Sequence, residues 1–136
     1  MHKKFHLMLA LSFLFSSISA FAQISSHPTV VTLSDENRSE AITIRNTSED
    51  FREVTIDFKF GYIDFNQDGR SFVNYEDTLM AEKYSIDNYL KVFPKKIMVP
   101  PNSNQMVRIL TTIPNEKPDG TYWSRIHIRS SPVEEQ

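Results

Sequence analysis

Apolar and polar residues alternate most regularly over residues 52–63. Val54, Ile56, Phe58 and Phe60 fall on one side of an extended chain, and Thr55, Asp57 and Lys59 on the other. A period of two held over this length predicts a strand with one buried face. Burying those four side chains contributes on the order of 1.5–3 kcal/mol each, which makes this a central strand. Residues 39–46 repeat the pattern, with Ile42 and Ile44 set against Ala41, Thr43 and Arg45. Residues 29–33 (Thr-Val-Val-Thr-Leu) form a first strand candidate behind Pro28, a residue that suits the margin of a sheet.

Three more apolar runs, rich in β-branched and aromatic residues, occupy residues 90–99, 105–113 and 121–128. Pro100-Pro101-Asn102-Ser103-Asn104 separates the first two, and Pro114-Asn115-Glu116-Lys117-Pro118-Asp119-Gly120 separates the last two. Such punctuation ends ladders and helices alike, so short antiparallel strands are predicted rather than helices. In the last run, Tyr122, Ser124, Ile126 and Ile128 share one face, and Trp123, Arg125, His127 and Arg129 share the other. Residues 65–72 contain Asp68-Gly69, the turn chemistry of a tight hairpin. Residues 75–88 are polar, and Leu79, Met80, Ile86 and Tyr89 could line one or two helical turns. About seven strands, with turns every eight to twelve residues, predict an all-β antiparallel sandwich of the immunoglobulin type. Tyr122 is then a candidate tyrosine-corner residue.

The amino-terminal residues 1–22 read differently. His2, Lys3 and Lys4 precede an apolar run of about nine residues, and Ala20-Phe21-Ala22 is a small-x-small cleavage site. This predicts a secretory signal peptide, since a membrane span needs roughly 20 apolar residues. The remaining chain, 23–136, is one small domain with no membrane insertion expected after signal removal. Losing Lys3 and Lys4 takes the formal net charge from −2 to −4, which offers nucleic acid no basic footprint. The sequence has no cysteine, so neither a disulfide nor a thiolate metal site is available.

No catalytic constellation emerges. There is no Gly-x-Ser-x-Gly and no Gly-rich phosphate loop, and His2, His6, His27 and His127 do not cluster. Asp64-x-Asn66-x-Asp68-Gly69 copies half a calcium loop, but the twelfth position is Tyr75 and Glu76 comes one residue late. A polar hairpin tip is the simpler reading. Arg108 reads as a structural ion-pair residue. An enzyme is not expected, and neither is a cofactor or metal.

Three pieces in order carry a family resemblance. They are Phe93-Pro94-Lys95-Lys96-Ile97, then Pro101 followed by Gln105-Met106-Val107-Arg108, then Pro118-Asp119-Gly120-Thr121-Tyr122-Trp123. Together they resemble the amino-terminal immunoglobulin-like domain of periplasmic pilus-assembly chaperones. Its corresponding motifs are Ser-Pro-x-x-hydrophobic, Pro-Gly-x-x-Gln-x-Val-Arg and Asp-Gly-Glu-Tyr-Arg. Here Phe93, Asn102, Thr121 and Trp123 replace the Ser, first Gly, Glu and final Arg. The resemblance implies a periplasmic location and a protein-binding function by β-strand addition to pilus or surface-protein subunits. It also implies an anchoring Arg ending the first strand, whose position falls on Val30, and a seventh strand bearing a Lys, expected to be missing because the sequence stops at Gln136. Either the sequence is a fragment of a longer reading frame, incomplete at its carboxy-terminal end, or the last strand has an open edge, with Trp123, Arg125, Ile126, His127 and Ile128 as candidate partner-binding residues and self-association possible. The alternative is a structural immunoglobulin-like domain of a secreted or surface assembly.

Overall fold

A computed structural model describes residues 23–114 and 117–133. The predicted signal peptide lies outside the described residues. The strands are β1 (Ile24–His27), β2 (Ser39–Asn46), β3 (Arg52–Lys59), β4 (Tyr62–Phe65), β5 (Ser71–Asn74), β6 (Leu90–Phe93), β7 (Lys96–Val99), β8 (Asn104–Thr111) and β9 (Arg125–Pro132). One helix, α1 (Thr78–Tyr84), and a 3₁₀ turn (Asp87–Tyr89) sit between β5 and β6. A four-stranded sheet in the order β1-β2-β8-β6 packs on a three-stranded sheet in the order β7-β3-β9, and all pairings are antiparallel. The molecule is an immunoglobulin-like β-sandwich.

Alternation puts the core where the pattern requires. Ile42 and Ile44 on β2 and Val107 and Ile109 on β8 meet Val54 and Ile56 on β3 and Val99 on β7, all of them buried. A buried asparagine secures one end. The Asn46 amide donates to the carbonyls of Asp50 (2.7 Å), Val99 (3.1 Å) and Pro100 (3.0 Å), and its oxygen accepts from Ser48 N–H (3.0 Å) and Ser48 Oγ (2.7 Å). The Asp50 and Pro100 carbonyls also accept from Ser48 Oγ (3.1 Å) and Ser103 Oγ (2.8 Å), so Asn46 is the centre of a network that ties these loops to the end of β7. At the other end, Tyr122 Oη donates to Pro118 O at 2.6 Å, the contact of a tyrosine corner.

The structure moves several predicted boundaries. The long strand over 52–63 breaks at Phe60-Gly61. Phe60 N–H donates to Asp87 Oδ2 (2.7 Å) instead of a neighbouring strand, and the Tyr75 ring lies so close to Gly61 that a Cβ there would sit 2.7 Å from it. The run over 90–99 divides at Pro94-Lys95, leaving β6 in one sheet and β7 in the other. Proline has no N–H to give a ladder, so the change of sheet falls at that point. The first strand forms at 24–27 rather than 29–33, because its ladder with β2 runs from Ile24↔Asn46 to His27↔Thr43 and stops at Pro28. The last strand begins at Arg125 rather than Thr121: Arg125 pairs with Lys59, the final residue of β3, and ahead of it Trp123 makes only an isolated parallel bridge with Ser85.

The polar segment does contain a helix, but Leu79 points to solvent at 79 % exposure. Asp77 caps α1 by accepting from Met80 N–H (3.0 Å) and also accepts from Tyr62 Oη (2.8 Å). These two bonds, the backbone one first, hold the Asp77 carboxyl below the usual aspartate range. The same hydroxyl–carboxylate bond raises the Tyr62 phenol. Arg108, expected in an ion pair, is exposed and donates to Ser39 Oγ (3.3 Å).

Candidate functional site

The two sides of the sandwich are closed in different ways. On one side the chain itself passes from β6 to β7 and so joins the sheets. On the other side, β1 ends one sheet and β9 ends the other, and a cavity of about 780 Å³ lies between them. Val31 and Leu33 line it from the segment after β1, Ile126 and Ile128 from β9, and Ile42, Ile109 and Phe58 from the interior. Val31, Leu33, Phe58, Ile126 and Ile128 are half-buried and pack on the core. This is apolar surface that the sandwich has gathered but not sealed.

Backbone geometry along β9 decides what the opening can do. Ile56 N–H donates to Lys95 O (3.0 Å) on the β7 side of β3, and Val133 N–H donates to Phe51 O (3.3 Å) across the β3–β9 ladder. In a regular antiparallel strand, successive residues direct their amides to opposite sides. Thr55 and Asp57 therefore bond to Arg129 and His127, and the N–H and C=O groups of Ile126, Ile128 and Ser130 point out along the free edge. Pro132 falls on the same phase, so its missing N–H costs the β3 ladder nothing. Among the described residues no strand pairs with this edge. It offers main-chain donors and acceptors beside an apolar groove, which is what an added strand needs.

The outward face of β9 carries charge. Asp57, central on β3, forms ion pairs with Lys95 (2.9 Å) and with Arg129. The Lys95 ammonium, followed by Arg129, holds the Asp57 carboxyl below its ordinary range, although partial burial works the other way. His127 meets the Tyr75 ring edge-on with centroids 5.4 Å apart, and Lys59 lies over that ring at 4.8 Å.

Four of the five candidate residues lie together on β9. Ile126 and Ile128 face the groove, while Arg125 and His127 face outward. Trp123 lies ahead of the strand, stacked on Tyr84 (5.0 Å) and near Phe60 (5.2 Å), with its indole N–H donating to Gly61 O (3.2 Å). There it fastens α1 to the sandwich. Val31, Leu33 and Phe58 join Ile126 and Ile128 around the cavity and Ser130 continues the free edge, four positions that the sequence pattern does not single out for the site. The signal for Ser130 was its phase, two residues beyond Ile128. The pattern over 29–33 places Val31 and Leu33 in a strand of their own. Val30, where the family resemblance would place an anchoring Arg, is 77 % exposed.

The half calcium loop is a hairpin tip between β4 and β5. Asn66 Oδ1 accepts from Asp68 N–H (3.0 Å) and Arg70 N–H (2.9 Å), and Gly69 takes a positive φ of 75°. Asp64 accepts from Phe65 N–H (2.8 Å) and Asn74 Nδ2 (3.0 Å), so its oxygens serve the turn. Among the described residues no three His, Cys, Asp or Glu side chains are grouped to hold a metal ion, and no helix is long and apolar enough to cross a membrane.

No family model matches the sequence, and no curated protein matches it. Solved structures do match the fold. The periplasmic chaperone SfaE superposes with a TM-score of 0.56 at 10 % identity, over 81 % of this chain and 48 % of its own. A chain of the CsuC–CsuE chaperone–tip adhesion subunit pre-assembly complex, from the archaic chaperone-usher Csu pili of Acinetobacter baumannii, superposes with a TM-score of 0.52 at 16 % identity. That match covers 85 % of this chain and 46 % of the other. The chain thus spans about half the length of the solved proteins it matches. Across that span it shares the immunoglobulin-like sandwich fold of these two structures.

Proposed function

We propose that this chain is a periplasmic, chaperone-type binding domain that holds protein subunits by β-strand addition along the free edge of β9. The observation that carries the reading is the row of unpaired main-chain groups at Ile126, Ile128 and Ser130 beside the apolar groove. The fold shared with SfaE and with the Csu chaperone complex supports it, and that complex joins a chaperone to a tip adhesion subunit. An extended segment laid there makes backbone bonds to β9. Every second side chain enters the groove, against Ile126, Ile128, Val31 and Leu33. Binding, not turnover, is the work of such a site, and it uses no cofactor.

The reading is tested with a peptide of alternating Val and Thr added to the purified protein during thermal unfolding. The melting temperature should rise with peptide concentration, because a ligand that binds only the folded state stabilises it. Ser130→Pro should remove the response. It deletes an N–H on the free edge without touching the β3 ladder. A melting temperature indifferent to the peptide would refute strand addition at this edge.

A further inference from the structure

The charges around the free edge specify more than an apolar strand. On the outward face, Lys59 and Arg125 stand directly opposite each other in the β3–β9 register. Like charges at opposed positions destabilise a sheet. Among the described residues neither has a carboxylate within ion-pair distance. Lys59 rests over the Tyr75 ring at 4.8 Å, and Arg125 is exposed. Two positions along, Arg129 shares the Asp57 carboxylate with Lys95. Of these four cations, Lys95 and Arg129 share one carboxylate, Asp57, while Lys59 and Arg125 have none within ion-pair distance among the described residues. On the same face, nearer the β7 margin, Glu53 is taken by Lys96 at 2.9 Å.

A strand added beside β9 must place its residues in phase with those of β9. Residues next to Ile126 and Ile128 enter the groove, and residues next to Arg125, His127 and Arg129 stay outside. This holds whether the new strand runs parallel or antiparallel. We propose that the partner segment is an extended peptide alternating apolar residues, which enter the groove, with acidic residues, which face outward across from Arg125 and Arg129. The inference rests on the strand-addition reading and adds the partner's charge pattern to it. A carboxylate opposite Arg125 relieves the Lys59–Arg125 opposition, and one opposite Arg129 supplies the second acid that Arg129 and Lys95 lack.

Three labelled peptides of equal length, alternating Val with Glu, Val with Ser and Val with Lys, are titrated with the protein and followed by fluorescence anisotropy. The Glu peptide should bind about tenfold more tightly than the Ser peptide, the combined effect of two favourable cross-strand charge pairs, and the Lys peptide more weakly than either. High salt should shrink the spread, because the pairs are exposed. Arg125→Glu should reduce the preference for Glu, and Arg125→Gln should give an intermediate value. If all three peptides bind equally, or the Lys peptide binds best, the charge pattern is wrong while strand addition stands. If none binds, strand addition falls and this inference with it.

Discussion

One sheet presents two edges of opposite character. β7, at one margin of the β7-β3-β9 sheet, is four residues long and bracketed by Pro94 and by Pro100-Pro101. Its Lys96 is tied to Glu53 across the strand pair. β9, at the other margin, is eight residues long, has proline only at its last position and lies beside an apolar cavity. Short length, flanking prolines and a lysine are the devices by which proteins blunt an edge. β7 has all three, whereas β9 keeps a long ladder face available. The difference teaches that edge exposure alone does not identify a pairing site. Ladder length and the apolar surface beside it do.

The largest test removes the strand on which both edges depend. Ile56 is fully buried in the middle of β3, between β7 and β9. Ile56→Asp strands a carboxylate in the core at a cost comparable to the whole stability of such a domain, roughly 5 kcal/mol or more. Soluble yield and a cooperative melt should both disappear. Recovery of the variant as a normally melting protein would break the account of the core.

Asn46→Ala should separate the two edges. The lost side chain takes one donor from each of the Val99 and Pro100 carbonyls, which keep Arg52 N–H in the ladder and Ser103 Oγ (2.8 Å) respectively. It also removes the acceptor of Ser48 N–H, for a total cost of about 1–3 kcal/mol. Those carbonyls belong to the end of β7, so hydrogen exchange should quicken at Ile97 and Val99 well before it quickens along β9. Equal acceleration on both strands would contradict the latch.

A proline at each edge gives the sharpest contrast. By the same alternation of amides, Met98 on β7 and Ser130 on β9 both point away from β3. Ser130→Pro should abolish peptide binding. Met98→Pro should leave binding unchanged, and melting temperatures without peptide should shift little in either variant. Loss of binding in both would mean that the β7 edge is the receptive one, or that the peptide binds elsewhere.

The smallest effect concerns Asp57. Its carboxyl is depressed in the folded protein by Lys95 and Arg129, so its contribution is present above the ordinary aspartate range. That contribution is lost as pH falls through the lower folded value. Asp57→Asn should lower the melting temperature slightly at neutral pH, and the gap to the unmodified protein should close in strong acid. A gap that widens on acidification would reverse the assignment.

Some of this was legible in the residues alone. Period-two alternation fixes which face of β2 and β3 is buried, because a one-residue slip would turn Ile42, Ile44, Val54 and Ile56 to solvent. Asp68-Gly69 located the β4–β5 hairpin, since only a turn tolerant of positive φ fits there, and Tyr122 could be placed at its corner. What alternation cannot encode is which neighbour a strand chooses. That choice divided residues 90–99 between two sheets and moved the first strand ahead of Pro28. It broke the central strand where Asp87 captures the Phe60 amide, and it stacked Trp123 on Tyr84 of α1 at one end of the cavity. The sequence determined the class of fold and the apolar character of Ile126 and Ile128. Only the tertiary structure set Val31 and Leu33 across a cavity from them and aimed the Ser130 amide outward, because contacts between residues far apart in the chain depend on register and packing rather than on any local pattern.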